Sequence, residues 1–135
     1  MDKKFFKKII AQSPEDIQII SACCSGAKVN TTEIKYLPSN KIFLLSLLRY
    51  DIENQNNKKS IHSIIKFEFI ESSKSKNIDQ KRPKMLMELI AIDVFKKELN
   101  FEITLLFSQN RFITLSSEVI EVTLEDQKLK DDKNN

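Results

Sequence analysis

The hydrophobic positions that follow the N-terminus recur with helical spacing between residues 14 and 24. Ser13 precedes Pro14, and this order is typical of a helix N-cap and the first helical position. Apolar residues beginning with Ile17 then recur on one face. Gly26, the single glycine of the chain, stands where a left-handed residue often ends a helix. The pattern therefore predicts a helix over about residues 14–24.

After the helix the hydrophobic period changes to two, which indicates β-strands. The alternation is clearest in residues 99–107, where Leu99 and Phe101 begin an apolar row and Asn100 begins a polar row. Residues 41–50 are nearly all apolar, which predicts a strand covered on both faces. The predicted strands are 33–37, 41–50, 60–71, 85–95, 99–107 and 112–116, with turns at 38–40 and 108–110.

Several segments fit more than one structure. Residues 1–10 fit an amphipathic helix with four lysines on one side, whereas residues 5–11 fit a strand that leads into the Ser13-capped helix. Residues 117–124 fit a strand almost as well as a short helix, and we favour the helix because Ser116 or Ser117 can cap it. The remaining polar stretches predict two loops and a frayed C-terminal tail, at 51–60, 72–84 and 127–135.

The connections between the predicted strands are mostly short. Short connections favour antiparallel pairing, because parallel pairing needs a crossover of a dozen or more residues. We therefore predict an α+β fold with a curled or barrel-like, mainly antiparallel β-sheet of about six to seven strands, an N-terminal helix and a short C-terminal helix. No repeat or change of composition marks a second domain, so residues 1–126 are predicted to form a single globular domain.

Composition and charge narrow the class of protein. The chain has 135 residues, 41% of them hydrophobic, and a formal net charge of +3. The positive excess lies in residues 1–10, whereas a nucleic-acid binder needs a sustained basic face. Residues 72–84 are also basic but have no aromatic side chain to stack on a base. Weak nucleic-acid or ribosome association through 72–84 is therefore only an alternative, and a nucleic-acid partner is disfavoured.

The cysteine and histidine content argues against several kinds of site. Cys23 and Cys24 are adjacent, and the chain has no third cysteine. This arrangement is typical of small core residues in a protein of a reducing compartment. Together with His62, the single histidine, they cannot supply a four-ligand zinc site. No apolar run approaches the roughly 18 residues that span a bilayer. We therefore predict a cytoplasmic protein with no cofactor, no metal and no membrane span.

Motifs for catalysis are weak in this sequence. One glycine cannot build a phosphate-binding loop. A Ser–His–Asp set would depend on His62, which shares the polar side of its strand with Lys66, opposite Phe67 and Phe69, and is expected to face solvent. Four acidic residues near the C-terminus would lie on neighbouring helix faces, but the sequence does not predict the burial that a carboxylate pair needs. These are Glu118, Glu121, Glu125 and Asp126.

Arg49 is a further candidate because it interrupts an apolar strand. Strand alternation places Arg49 and Asp51 on one face, where they can form a bidentate ion pair. Binding of an anion is the alternative, and we favour the ion pair. An enzyme of unrecognised type, with Arg49, Glu53 and Glu118 meeting in a cleft, is the alternative function. We favour a protein without catalysis, and we assign no catalytic, cofactor-binding or metal-binding residue.

Several segments occur in a particular order along most of the chain. They are 15–22, 27–29, 34–38, 49–53 and 86–92, followed by Phe107, Ile113, Leu115, Glu118, Ile120, Glu121, Leu124 and Asp126. This set resembles a mostly alphaproteobacterial family of small proteins, domain of unknown function 2948. The resemblance implies a fold and a cytoplasmic location but no activity. The chain departs from the family pattern at Ile52, at 25–26 and at 108–111.

These observations together predict a function in binding. We expect a non-catalytic cytoplasmic binding or adaptor module that recognises a protein partner through an exposed strand edge or groove. The candidate edges are residues 5–11 and the strand around Phe112. The sequence leaves the identity of the partner and the oligomeric state open.

Overall fold

The computed structural model describes residues 7–50, 60–79 and 85–127, which form ten β-strands and one α-helix. The strands are β1 (Lys8–Ala11), β2 (Lys28–Asn30), β3 (Ile34–Leu37), β4 (Ile42–Tyr50), β5 (Ser60–Phe67), β6 (Ile70–Lys76), β7 (Leu86–Lys97), β8 (Asn100–Phe107), β9 (Arg111–Ser117) and β10 (Val122–Asp126). The helix is α1 (Pro14–Cys24), and a short 3-10 helix, Thr31–Glu33, joins β2 to β3.

The helix forms where the capping signals predict it. The Ser13 hydroxyl accepts a hydrogen bond from the backbone N–H of Asp16 at 3.2 Å, which satisfies one of the free donors of the first turn. At the other end Gly26 has φ = 87°, a conformation that costs a glycine little. The apolar face of α1, which includes Ile17 and Ile20, is buried in the core. The predicted helix over 14–24 is confirmed.

All the strands belong to one antiparallel sheet. Its order is β1-β10-β5-β4-β2-β7-β8-β9-β6, and β3 pairs with β4 beside β2. The sheet curls so far that β6, at one end of this order, returns to the beginning of β4, where Ile70 N donates to Lys41 O at 2.8 Å. The concave face holds the apolar core together with α1. The prediction of a mainly antiparallel sheet with an N-terminal helix is confirmed.

Two β-bulges increase the curvature of the sheet. One lies in β6 between Ile70 and Ser72, and the other lies in β7 between Leu89 and Ala91. A bulge bends its strand and increases the local twist. Just after the bulge of β7, the backbone N–H of Ile92 donates to the hydroxyl of Ser21 in α1 at 2.9 Å. The helix thus occupies a place beside β7 that a neighbouring strand would otherwise fill.

The apolar strand β4 is covered on one face only in the part of the chain that is described. Phe43, Leu45 and Leu47 are buried in the concave core. On the convex face Leu48 and Tyr50 are 45% and 48% exposed. The prediction that residues 41–50 are covered on both faces is therefore wrong. An antiparallel sheet needs only one covered face, so a continuous apolar run does not require a second layer.

The sheet has ten strands rather than six to seven, and no C-terminal helix is seen in the described residues. The three-residue strand β2 is too short to show a period. The predicted strand 60–71 divides into β5 and β6 at Phe69, which has φ = 61°. Residues 122–126 form β10 between β1 and β5. This segment is a strand rather than a helix because Val122 and Leu124, spaced at period two, are both buried in the core.

Several smaller predictions are also corrected. Leu99 is 88% exposed because it lies in the turn between β7 and β8, and Phe69 is 51% exposed rather than part of the apolar row. The predicted loop 72–84 begins as a strand, since β6 continues to Lys76. The turns at 38–40 and 108–110 are confirmed. The predictions for 1–6, 51–59, 80–84 and 128–135 lie outside the described residues.

Candidate functional site

The curled sheet is joined to itself where β3 and the turn after it meet the start of β6. There the Tyr36 hydroxyl donates to Ile70 O at 3.3 Å. In the neighbouring turn Lys41 Nζ lies 3.4 Å from Glu71 Oε2. Beyond this joined end, β3 and β6 form no strand pair within the described ranges. We name the resulting opening, between residues 34–37 and 72–76, the β3–β6 slot.

The slot leads into a cavity of about 290 Å³. The cavity is lined by Ile34, Tyr36, Phe43, Ser73, Ser75 and Ile113. The rings of Tyr36 and Phe43 form one wall, with their centroids 6.4 Å apart. This volume is just below the roughly 300 Å³ at which small-molecule pockets usually begin. The cavity therefore has room for a few side chains rather than for a large cofactor.

The polar lining of the cavity comes from the pairing register of β6. Ser73 lies opposite Leu115, and Ser75 lies opposite Ile113. Both partners are buried on the concave face, so the two serines point to that face as well. Their hydroxyls have no hydrogen-bond partner among the described residues. At these two positions of the concave face, β6 therefore has hydroxyls that can bond to a ligand. The neighbouring strand β9 has buried aliphatic side chains at the paired positions.

Both strands that flank the slot have an unpaired edge. β3 pairs on one side with β4, and β6 pairs on one side with β9, while their other sides have no strand partner in the described part of the chain. An unpaired edge presents backbone N–H and C=O groups that can bond to another strand. Because β3 runs toward the turn at 38–41 and β6 starts beside it, the two edges run in opposite directions.

Lysines occupy the convex side of the slot. Lys74 and Lys76 alternate with the two cavity serines along β6, and Lys35 is on β3. All three are exposed, and none forms an ion pair with a carboxylate of the described residues. Lys41, at the joined end, is paired with Glu71. The uncompensated positive charge therefore lies along the open part of the slot.

A second polar group on the concave face is arranged very differently. Arg49 Nε and Nη2 donate to Asp126 Oδ1 and Oδ2 at 3.1 and 2.8 Å. The Ser63 hydroxyl donates to Asp126 Oδ1 at 2.6 Å, and the backbone N–H of Lys7 donates to Oδ2 at 2.8 Å. Arg49 is only 4% exposed. We name these residues, Arg49, Ser63 and Asp126, the Arg49–Asp126 cluster.

The protonation states of this cluster follow from its hydrogen bonds. Burial alone would disfavour both charges, but the bonds from Arg49, Ser63 and the Lys7 backbone hold the pKa of the Asp126 carboxyl below its ordinary value. Burial likewise opposes the Arg49 charge, but Asp126 holds the pKa of Arg49 above its ordinary value. Burial also raises the pKa of the nearby Cys24 thiol to about 12. At neutral pH the cluster is therefore a charged pair beside a thiol that stays protonated.

The structure supports an ion pair at Arg49 rather than an anion site. The partner is Asp126, whereas Asp51, the expected partner, lies outside the described residues. Bidentate contact and two further donors satisfy the carboxylate within the protein. The cluster therefore joins β4, β5 and β10 and offers no open position to a ligand.

His62 is less exposed than its strand pattern predicts. It is half-buried, and its Nε2 lies 2.6 Å from the hydroxyl of Ser46. No carboxylate of the described residues bonds to the ring, so a Ser–His–Asp set is not assembled there. The two side chains belong to neighbouring strands, β4 and β5. The contact is accordingly a cross-strand hydrogen bond on the convex face.

The other acidic candidates are separated from one another and from Arg49. Glu118 is exposed after the end of β9, whereas Arg49 is buried and bonded to Ser63 and Asp126. Glu121 Oε1 accepts a hydrogen bond from Gln12 Nε2 at 2.9 Å, and Glu125 is exposed on β10. Glu53 lies outside the described residues. The structure thus does not bring Arg49 and Glu118 together as the enzyme hypothesis requires.

The expected binding edges are partly corrected. β1, within the predicted segment 5–11, pairs only with β10 in the described ranges and is an edge strand. The strand around Phe112 is β9, which lies between β8 and β6 and is no edge. Of the basic segment 72–84, Lys74 and Lys76 belong to β6, and residues 80–84 lie outside the described part.

Sequence reasoning missed the two serines of the slot and the pairing of Asp126 with Arg49. Ser73 and Ser75 fell in a predicted loop, although serine and lysine alternate there as they do in a strand with polar faces. Asp126 lay two residues beyond the favoured helix 117–124, although Val122 and Leu124 precede it at period two. In both cases the alternation was present but too short to identify the strand.

Two general features of the described residues limit the kind of site. None of the helices in the described ranges is long and apolar enough to cross a membrane. No group of three or more His, Cys, Asp or Glu side chains in those ranges is placed to hold a metal ion.

The fold and the slot define the class as a small α+β protein with one curled antiparallel sheet. The family model described as "Protein of unknown function (DUF2948)" matches residues 7–134, and the chain belongs to this family. It is also similar to a solved structure, the crystal structure of an uncharacterized protein from Neisseria gonorrhoeae. That likeness has 16% identity over 88% of this chain and 97% of the other, with a TM-score of 0.46. No curated protein matches the chain.

Proposed function

We propose that this chain is a non-catalytic cytoplasmic binding module that recognises a protein partner by taking up an extended segment at the β3–β6 slot. The observation that carries the proposal is the pair of unpaired strand edges beside one cavity. In strand addition, backbone hydrogen bonds supply affinity and pockets for alternate side chains supply specificity. The slot has both of these elements.

The slot is a better receptor than the other free edge, β1. β1 has four residues, and α1 starts within three residues of its end. β6 has seven residues, and the cavity beside it is lined by two hydroxyls that have no partner in the described ranges. A segment bound at the slot can therefore bury side chains as well as pair its backbone, which gives more contacts per residue.

The remaining polar groups support a role without catalysis. The carboxylate and guanidinium of the Arg49–Asp126 cluster are bonded to each other and buried. The Cys24 thiol, with its pKa raised by burial to about 12, is not a thiolate at neutral pH. Two free cysteines on one helix are typical of a reducing compartment, which supports the cytoplasmic location.

A peptide library tests the proposal directly. A displayed library of random peptides, about nine residues long, is selected against the full chain, and enriched peptides are titrated by fluorescence anisotropy. We expect enriched peptides to shift the NMR amide signals of 34–37 and 72–76 more than those of β1, because a bound strand bonds to those edges. If no peptide is enriched, or if the shifts fall elsewhere, the proposal is wrong.

Filling the cavity supplies a matched test. The Ser73→Leu/Ser75→Leu variant places two aliphatic side chains in the cavity and should weaken enriched peptides by about tenfold or more. Thr104→Leu is a control that adds an aliphatic side chain on the convex face of β8, away from the cavity, and it should leave binding unchanged. If urea unfolding shows that the double variant does not fold, Ser75→Leu alone replaces it, since Ser75 is exposed. Equal binding by the filled and control variants would contradict the proposal.

A further inference from the structure

We infer that the segment bound at the slot is an acidic strand, with glutamate or aspartate on its outward-facing side and small side chains, of the size of threonine or valine, on its inward-facing side. This inference rests on the proposed strand addition and adds the chemistry of the partner. It follows from the different character of the two sides of β6.

A strand in the slot must place its side chains alternately on the two faces of the sheet. β6 already shows the same division, because Ser73 and Ser75 line the cavity while Lys74 and Lys76 point to the convex side. A neighbouring strand has its inward residues beside the serines and its outward residues beside the lysines. The two faces of the slot therefore select two different sets of residues.

The inward side selects small residues. The cavity is about 290 Å³, and two or more inward-facing side chains of a bound strand must share it. Ile34 and Phe43 supply apolar walls, whereas Ser73 and Ser75 supply hydroxyls. A threonine has a methyl group for the walls and a hydroxyl for the serines, and a valine satisfies the walls alone. Large aromatic residues are excluded because the volume is shared.

The outward side selects negative charge. Lys35, Lys74 and Lys76 are exposed, flank the slot from both strands and have no carboxylate partner among the described residues. Opposite charges on neighbouring strands attract, and like charges repel. Lys41 is already neutralised by Glu71 at the joined end. The attraction is therefore strongest along the open part of the slot, where a new strand would pair.

Three synthetic peptides of about nine residues test the inference by fluorescence anisotropy with the full chain. The first alternates glutamate with threonine or valine. The second has the same composition with its glutamates in one block, and the third has lysine in place of every glutamate. We expect the first to bind about tenfold or more tightly than either of the others. Its affinity should fall when sodium chloride is raised from about 0.05 to about 0.5 M.

Charge reversal on β6 tests the residues themselves. In the Lys74→Glu/Lys76→Glu variant we expect the preference to invert, so that the lysine peptide binds more tightly than the glutamate peptide. Lys96→Glu/Lys97→Glu makes the same change of net charge on β7, three strands away in the sheet order, and should preserve the original preference. Circular dichroism and urea unfolding establish that both variants are folded.

The outcomes separate this inference from the proposed function. If library peptides bind at the slot but the three synthetic peptides show no order, the slot binds strands without this charge preference and the inference is wrong. If the β7 variant inverts the preference as the β6 variant does, net charge and not the slot is responsible, and the inference is also wrong. If no peptide of any kind binds, both the proposed function and this inference are wrong.

Discussion

The concave face of this protein carries two groups of polar residues, and they differ in how far the protein itself satisfies them. In the Arg49–Asp126 cluster every oxygen of the carboxylate accepts hydrogen bonds from within the chain. In the slot, the hydroxyls of Ser73 and Ser75 line a cavity without a partner in the described ranges. Similar placement on the sheet thus gives a structural site in one case and an open surface in the other.

The difference comes from the strands on either side. Ser63 and Asp126 lie on β5 and β10, which are interior strands paired on both sides. Ser73 and Ser75 lie on β6, which has one unpaired edge in the part described. Buried polar groups must be paired within the protein, because an unpaired one costs free energy. Groups at an open edge remain available to a partner.

The largest effect should come from breaking the closed cluster. Asp126→Ala leaves the buried guanidinium of Arg49 without its counter-charge, and we expect the free energy of unfolding to fall by about 3–5 kcal/mol. Urea denaturation followed by circular dichroism measures the change. Glu125→Ala, at the exposed neighbouring position, is the control and should change stability by less than about 0.5 kcal/mol. Equal losses in the two variants would contradict the comparison.

Acidification should remove the same stabilisation reversibly. Because the pKa of Asp126 is lower in the folded chain than in the unfolded chain, the unfolded chain takes up the proton more readily as the pH falls. The stabilisation is therefore complete above the unfolded value of about 3.9 and is lost as the pH falls through the lowered folded value. The stability difference between the wild type and Asp126→Asn should shrink in that range. A difference that stays constant would contradict this assignment.

A pair of identical substitutions sharpens the comparison at smaller energies. Ser63→Ala removes a buried donor to Asp126 and should cost about 1–2 kcal/mol. Ser73→Ala removes a hydroxyl that has no partner in the described ranges and should change stability by less than about 0.5 kcal/mol. Thermal and urea unfolding of both variants measure the two values. If Ser73→Ala costs as much as Ser63→Ala, the slot is a satisfied structural site.

The smallest perturbation is chemical labelling of the two cysteine thiols in the folded wild-type chain. Because Cys24 lies near the Arg49–Asp126 cluster, its labelling reports whether reagents reach that region. At pH 8 a thiol reagent should modify the half-buried Cys23 and spare Cys24, whose pKa of about 12 keeps it protonated. Mass spectrometry should count one label in native protein and two in urea. The Cys23→Ser variant should take none until it unfolds. Rapid native labelling of that variant would show that the cluster is open.

Part of the fold was predictable because its signals are local. The helix over 14–24 has its cap and its first-turn proline at one end and its glycine two residues beyond the other end, so each end is marked by residues next to it. The hairpin from β8 to β9 has two alternating runs around a polar turn at 108–110. By contrast, β2 and β10 pair with strands far away in the chain, and their own runs are too short for the alternation to identify a strand.

The candidate site was less predictable for the same reason. Arg49 was identified as the residue that needed a partner, but 77 positions separate it from Asp126. The convex exposure of Leu48 and Tyr50 depends on which face of β4 the rest of the sheet covers. The cavity exists because β3 and β6, which are linked at Ile70, form no strand pair in the described residues. Each of these features requires the complete curvature of the sheet.

The amino-acid sequence by itself determined the capped helix, the alternating strands and the absence of motifs for phosphate or metal chemistry, since these depend on residues that are close together in the chain. Only the tertiary structure decided which strands are edges, which carboxylate neutralises Arg49 and where hydroxyls remain without partners. Pairing, burial and charge compensation are properties of neighbours in space, and in this protein those neighbours come from distant parts of the chain.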